Sequence, residues 1–232
     1  MLSPGALAVL RLTYFLATVA NRMVWKLMCW NWLSRLILAF AATVAPVTFL
    51  DTIHPAPALV SLAGQLLVAS PEVRDTHFDH AVILVIRHDQ GGAMGIVINV
   101  PTEERPLANL LKILGESDTN VEGKVQLFAG GPVQPEIGFV IHSTDYRAPG
   151  TIDVNGNVLM TSTSQILRDI GNGKGPKKSL IAFGYAGWAP GQLENELERR
   201  VWSTAPGDLN LVFDENREKL WDTAYARRTQ DL

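Results

Sequence analysis

Cysteine is almost absent from this sequence. Cys29 is the single cysteine among 232 residues, and it lies close to the N-terminus. An intramolecular disulfide is therefore excluded, and so is a zinc site built from several cysteines. This composition suits a reducing compartment. Residues 30–232 contain no cysteine, so a cysteine nucleophile is excluded from that part of the chain.

The sequence also lacks the short motifs of common catalytic and cofactor-binding sites. It has no G-x-S-x-G nucleophile elbow and no Gly-Lys-Ser/Thr before a predicted helix. The glycines of Gly91–Gly95 and of Gly130–Val133 join predicted strands, so they cannot place a dinucleotide at a helix N-terminus. We therefore predict turns at both places, no catalytic residues and no cofactor, and we favour a protein that is not an enzyme.

Positive charge is scarce beyond the N-terminal segment. Residues 58–232 contain 16 basic and 22 acidic residues, whereas residues 1–57 contain four basic residues and one acidic residue. Binding to a nucleic-acid backbone needs clustered Lys and Arg, so direct DNA binding is disfavoured but stays open. Lys174, Lys177 and Lys178 form the most basic spot of the domain, where nucleic-acid contact would be expected first. Their segment follows a predicted helix and precedes a strand, the reverse of a phosphate-binding loop, which favours a solvated loop.

The first 57 residues differ in character from the rest. The uncharged run Leu36–Leu50 has 15 residues and contains Pro46, which is short for a membrane span of about 20 residues and closer to a signal-peptide core. Three interpretations stay open: an anchor or uncleaved signal, an extension from a start assigned too far upstream, and, least favoured, a folded part of the domain. We predict a separate domain over residues 58–232 and place the domain boundary near Ser61. We expect a cytoplasmic protein, or alternatively one anchored or exported through residues 1–57, the only segment expected to contact a membrane.

Short apolar runs separated by turns predict a series of strands after this boundary. The predicted strands are Gly64–Ser70, His80–His88, Met94–Val100, Val125–Ala129, Ile137–Ser143, a hairpin over Thr151–Thr161, Ser179–Tyr185 and Leu209–Phe213. The predicted helices begin at Pro106, after a capping box of Ser162 and Gln165, at Pro190, and after Asp214. Hairpins dominate, so we predict an α+β or mixed α/β fold with largely antiparallel pairing.

Several longer motifs resemble the AlgH/YqgE family of bacterial proteins in order and spacing. They are LLVASP, HAVILVIRHDQGGAMGIVIN, FAGGPV, GFVIHS, TSTSQIL and LIAFGYAGWAPGQLENEL, which together span about residues 62–228. The resemblance implies a single compact domain whose bent sheet partly closes into a small barrel flanked by helices. It also implies a cytosolic protein, and some members are described as candidate transcriptional regulators. It supplies no catalytic or cofactor-binding residue.

The stretch Phe183–Val201 predicts a strand, a glycine turn and a helix, which is the usual frame of a phosphate site. No Lys or Arg lies between Phe183 and Glu198 to neutralise a phosphate, and the predicted first turns of the helix carry glutamates. We therefore favour a structural joint, in which Gly184 and Gly187 let the chain turn sharply. We expect Trp188→Ala to disturb folding more than binding.

A contact surface is the functional alternative for this stretch. Tyr185, Trp188 and Gln192 offer the aromatic and amide groups that suit a protein interface. The leading hypothesis is a protein that acts through protein partners or in gene regulation. The second is an enzyme or small-ligand binder with a cleft formed by those three residues together with His88, Asn99 and His142.

The histidines do not predict a metal site. His80 and His88 bracket one predicted strand and are separated by roughly 26 Å along it, too far to share one ion. His77 lies near His80, with Asp75 and Asp79 beside them, but a metal site would need ligands from another strand. We therefore expect polar strand ends and no bound metal.

Overall fold

The computed structural model describes residues 60–116, 120–214 and 216–229. The predicted N-terminal extension, and with it the interpretations of residues 1–57, lies outside these ranges. None of the helices described is long and apolar enough to span a membrane.

Ten strands and five short α-helices make up the described part of the chain. The strands are β1 (Leu66–Ala69), β2 (Val82–Asp89), β3 (Gly92–Val97), β4 (Pro101–Pro106), β5 (Lys124–Ala129), β6 (Val133–Ser143), β7 (Ile152–Asp153), β8 (Val158–Thr161), β9 (Ser179–Trp188) and β10 (Trp202–Ala205). The helices are α1 (Leu107–Ile113), α2 (Gln165–Gly171), α3 (Gln192–Glu198), α4 (Leu209–Val212) and α5 (Leu220–Ala226), with a 3₁₀ turn at Arg217–Lys219.

The strands form one curled sheet, which makes a half-barrel flanked by the helices. Its order is β10-β1-β2-β3-β9-β6-β8-β7, and β5 pairs with both β4 and β9. All neighbouring strands are antiparallel except β5 and β9, which run parallel. The predicted fold class is confirmed, as are the hairpin of β2 and β3 and the hairpin of β7 and β8 around Asn155-Gly156.

Three clusters of buried apolar side chains hold the sheet and helices together. The first lies mainly between the sheet, α4 and α5, and includes Leu66, Leu84, Ile96, Ile141 and Leu220. The second is built on the other face of β1, β2 and β3 and takes in Trp188, Leu193 and Trp202. The third joins α1 and α2 to β5, β6 and β9. The apolar stripes predicted for the helices supply these contacts, although Leu114 lies beyond α1 and is exposed.

Strand β9 changes the direction of its side chains at Gly184. Leu180 and Ala182 belong to the first cluster, whereas Ala186 and Trp188 belong to the second. Gly184 has φ +75°, and a Cβ placed there would overlap the carbonyl oxygen of Gly131. Glycine is therefore needed for both conformation and space. The irregularity directs Trp188 toward the layer that contains α3.

The expected turn at Gly184 and Gly187 is wrong. Strand β9 continues through both glycines to Trp188, because its second half pairs with β3. The turn comes after the strand, and α3 begins at Gln192 behind Gly191, which has φ +74°.

The predicted strand Leu209–Phe213 is wrong and is replaced by α4. The Asp208 side chain accepts hydrogen bonds from the backbone N–H groups of Asn210 and Leu211, as a helix N-cap does. The last strand is β10, which was not predicted from the sequence. A short apolar run does not by itself distinguish a helix from a buried strand.

Two predicted helix starts also differ from the structure. Helix α2 begins after Ser164, whose hydroxyl donates to Glu116, so Ser162 and Gln165 do not form a capping box. Helix α5 begins only at Leu220, after the 3₁₀ turn that Asn216 caps. Strand β4 was not predicted, because its sequence PTEERP is polar and contains two prolines.

Candidate functional site

A groove of about 330 Å³ opens where β9, α3 and β10 meet the loop before β2. We call it the aromatic groove. It is lined by Val73, Phe78, Trp188, Gln192, Glu196, Arg199 and Trp202, among others.

Helix α3 is held against the sheet by its apolar side. Leu193 is fully buried in the second cluster, and Leu197 packs against it. The i, i+4 spacing of these leucines puts them on one face. Glu196 lies one residue before Leu197, so its carboxylate reaches the edge of the same interface, where the indoles of Trp188 and Trp202 end.

Glu196 is the central hydrogen-bond acceptor of the aromatic groove. Its Oε2 accepts from the indole Nε1 of Trp188 at 2.8 Å and from that of Trp202 at 2.7 Å. Its Oε1 accepts from Nε2 of Gln192 at 2.9 Å. Gln192 in turn accepts from the backbone N–H of Ala189 through Oε1, at 3.1 Å. One carboxylate therefore fixes both indole rings and the start of α3.

The aromatic rings of the groove meet edge to face. The centroids of Trp188 and Trp202 are 6.1 Å apart with an interplanar angle of 83°, and those of Phe78 and Trp202 are 5.6 Å apart at 83°. Aromatic rings attract one another in this arrangement. Trp188 is 7% exposed and Trp202 4% exposed, so their packing already contributes to the core.

A second carboxylate of α3 ties the helix to β2. The backbone N–H of Leu62 donates to Nδ1 of buried His88 at 3.1 Å, and Nε2 of His88 lies 2.8 Å from Oε1 of Glu194. With Nδ1 accepting, the proton is on Nε2 and is donated to Glu194. The pKa of Glu194 is lowered, first by its own backbone N–H and then by His88. His88 thus supports α3 from behind and does not line the groove.

The six residues of the predicted cleft lie in several places. Trp188 and Gln192 share the aromatic groove. Tyr185 packs against the first cluster, edge-on to Phe139. Asn99 joins two segments of backbone, because it accepts from the Val82 N–H and donates to the carbonyl of His80.

His142 is fully buried in a separate polar network. Its Nδ1 donates to the carbonyl of Ser143 at 2.9 Å, and its Nε2 accepts from the hydroxyl of Thr161 at 2.9 Å. The hydroxyl of Thr151 is 2.7 Å from that of Thr161 and extends the chain. Burial lowers the pKa of His142 from 6.5, although the Ser143 carbonyl opposes the shift. The structure therefore brings two of the six residues together and gives the other four separate structural contacts.

The predicted basic patch lies on the loop between α2 and β9. Lys174, Lys177 and Lys178 are exposed there. The backbone of the loop is fixed, since the N–H of Lys177 donates to Asp145 and that of Lys178 donates to the hydroxyl of Ser143. Contact with nucleic acid at this patch stays a prediction.

The histidines of the loop before β2 pair with neighbouring aspartates. His77 lies 3.0 Å from Asp75, and His80 lies 2.7 Å from Asp79. Within residues 60–116, 120–214 and 216–229, no three His, Cys, Asp or Glu side chains are placed to hold a metal ion.

Glu196 and Trp202 were missed as site residues. The i, i+4 spacing of Gln192 and Glu196 indicated their hydrogen bond. Nothing in the sequence pairs Glu196 with two tryptophans, one before the helix and one after it. That contact depends on β10 pairing with β1, far away in sequence.

Comparisons with known proteins agree with this architecture. The sequence profile described as AlgH-like matches residues 66–232. A UPF0301 protein of Sphingopyxis alaskensis is 44% identical over 169 residues, which cover 72% of this chain and 89% of the relative. One from Xanthomonas campestris is 41% identical over 172 residues, which cover 74% and 91%.

Two solved structures share the fold. The solution structure of the AlgH protein from Pseudomonas aeruginosa is 36% identical with a TM-score of 0.60, and the match covers 70% of this chain and 86% of that one. A crystal structure of a protein from Corynebacterium diphtheriae, 21% identical with a TM-score of 0.57, matches in fold over 72% and 87%.

Proposed function

This chain belongs to the AlgH-like family, and from that premise we propose that it is a cytoplasmic protein-interaction module whose partner binds in the aromatic groove. Its role in the cell is to form contacts with other proteins, including those of gene regulation.

The observation that carries this proposal is the pair of indoles held by Glu196. Both indole N–H groups donate to one carboxylate oxygen, so the walls of the groove are fixed before a partner arrives. A preformed site binds more tightly because less side-chain entropy is lost on association. Half-buried Phe78 and exposed Arg199 supply the aromatic and guanidinium groups that are enriched in interface hot spots.

The placement of the candidate residues favours protein contact over the enzyme or small-ligand alternative. An active site needs polar groups that converge on one point. Here the hydrogen bonds of His142 and Asn99 hold segments of the fold together, and His88 is hydrogen-bonded to Leu62 and Glu194. The acidic balance of residues 58–232 favours protein contact over direct DNA binding.

The test compares two half-buried valines and two exposed arginines. Val73 and Arg199 line the aromatic groove, whereas Val100 packs on the same cluster outside it and Arg87 is exposed on β2. Partners co-purified with the full-length protein from its own cells would be identified by mass spectrometry. Each purified partner would then be titrated against the double variants Val73→Ala/Arg199→Ala and Val100→Ala/Arg87→Ala.

We expect the groove variant to bind a true partner at least about tenfold more weakly, since hot-spot truncations cost more than about 1 kcal/mol each. The control variant should bind as the unmodified protein does, and both should melt within a few degrees of each other. Equal binding by the two variants would place the interface elsewhere and contradict the proposal.

A further inference from the structure

A second and larger groove, of about 670 Å³, lies on the other side of Trp202. We call it the arginine groove. Its cationic lining comes from Arg199 and Arg200 at the end of α3 and from Arg228 after α5. Ser203 and Thr204 of β10 and Thr229 also line it, and Glu72 is the one acidic residue among the described residues of its lining.

Among residues 60–116, 120–214 and 216–229, the three arginines form no ion pair with an acidic side chain. Five other arginines of the described ranges pair with carboxylates, for example Arg147 with Asp153 and Arg227 with Asp208. None of the three in the arginine groove does so within those ranges. In a domain with an excess of acidic residues, three guanidinium groups around one groove that pair with no described carboxylate make a local site for an anion.

Arg200 occupies a backbone position that favours glycine. Its φ is +56°, and the N–H of Val201 donates to the carbonyl of Glu196 while that of Arg200 donates to Leu197. This is the Schellman arrangement, in which glycine usually follows the helix. A basic side chain near a helix C-terminus is favourable, and Arg199 already provides one. Strain of this kind often marks a functional position.

Arg228 is held in place by stacking. Its guanidinium carbon lies 3.8 Å from the centroid of the Tyr225 ring, and its Nη1 donates to the Tyr225 carbonyl at 2.7 Å. The Tyr225 ring also stacks on the Trp221 ring, with a centroid distance of 4.8 Å and an interplanar angle of 19°. Arg228 is therefore oriented without a ligand.

From these features we propose that the arginine groove binds a small, soluble phosphate-bearing molecule. Guanidinium groups bind phosphate oxygens through paired, charge-assisted hydrogen bonds, and a hydroxyl among the lining residues Ser203, Thr204 and Thr229 adds a neutral donor. The volume of the groove falls within the range typical of small-molecule sites.

Single-stranded nucleic acid fits the arginine groove less well. Proteins that bind single-stranded nucleic acid stack the bases on exposed aromatic rings. In the arginine groove, Tyr225 is already stacked with Trp221 and Arg228, and Trp202 is buried. The recognised feature is thus the phosphate group and not a base. This proposal does not require a protein partner in the aromatic groove, although Arg199 and Trp202 line both grooves.

Calorimetric titration of the full-length protein with tripolyphosphate tests the proposal directly. The variants are Arg200→Gly and Arg228→Gln, neither of which lines the aromatic groove. The matched control is Arg74→Gln, because Arg74 is exposed and outside the lining of the arginine groove. The same proteins would be titrated with a single-stranded DNA oligonucleotide, and their melting temperatures would be measured.

We expect saturable binding of tripolyphosphate that weakens with salt and falls by about tenfold or more in each groove variant. Arg200→Gly should bind less while melting at the same or a higher temperature, which separates loss of the ligand contact from loss of the fold. The control should bind as the unmodified protein does. The proposal is overturned if tripolyphosphate does not bind, if the control loses as much affinity as the variants, or if only the oligonucleotide binds.

Discussion

Replacing Glu196 by alanine removes the acceptor of two buried indole N–H groups at once. Trp188 and Trp202 are 7% and 4% exposed, and both line the aromatic groove. An unsatisfied buried donor costs about 1–3 kcal/mol. With partial access of water from the groove, we expect Glu196→Ala to lower the free energy of unfolding by about 3 kcal/mol.

The measurement is denaturant unfolding of the full-length protein followed by far-ultraviolet circular dichroism, with linear extrapolation to water. Glu198→Ala is the matched control, because Glu198 is exposed on the same helix. A surface substitution of this kind changes stability by less than about 0.5 kcal/mol. Glu196→Gln keeps an oxygen for the indoles but not the charge, and its cost should be about 1 kcal/mol.

A double-mutant cycle then separates the hydrogen bonds from general packing. Trp188→Phe removes one donor and keeps most of the ring. If the Trp188 N–H depends on Glu196, this substitution should cost about 1 kcal/mol less when Glu196 is already alanine. The reasoning is refuted if Glu196→Ala is no more destabilising than Glu198→Ala, or if the two sites prove additive.

Gly184→Ala should destabilise the fold by at least about 3 kcal/mol, as the new Cβ would meet the Gly131 carbonyl. Gly156→Ala, with φ +78° and open space around it, should cost only about 1 kcal/mol, and denaturant unfolding of both variants compares them. Arg200→Gly should raise the free energy of unfolding by about 0.5–1 kcal/mol by relieving its positive φ, and a lower melting temperature would contradict this. Burial lowers the pKa of His142 below its unfolded value of 6.5. The contribution of neutral His142 to stability is therefore complete above pH 6.5 and is lost as the pH falls from 6.5 toward the lower pKa of the folded state. The stability advantage of the unmodified protein over His142→Gln should therefore shrink between about pH 7.5 and 5, and a constant advantage in melting scans would rule this out.

The sequence predicted the fold best where local and tertiary preferences agree. The continuous apolar run of β2 has to be buried on both faces, and Asn155-Gly156 needs the φ values of a tight hairpin. The position of α1 was also predicted, because its leucines recur at helical spacing and are buried in the fold. The family resemblance, now confirmed, supplied the curl of the sheet.

The errors occurred where tertiary contacts decide the outcome. Leu209–Phe213 has the composition of a strand, but Asp208 caps it as a helix and β10 takes the place beside β1. Gly184 and Gly187 look like a turn, but pairing of β9 with β3 keeps the chain extended. The role of Glu196 was equally hidden, because its partners lie eight residues before it and six after it and meet only in the folded domain.

The pairing of β1 with β10 bears on how the protein is made. Strand β1 can pair with β2 soon after both leave the ribosome. The other edge of β1 stays unpaired until Trp202–Ala205 has been made. About 140 residues separate the two partners, so at roughly 5–20 residues per second the nascent chain exposes that edge for about 7–30 seconds. An unpaired, fully apolar strand invites pairing with other chains. Newly made copies should therefore depend on chaperones from the pairing of β1 with β2 until β10 has been made and has paired.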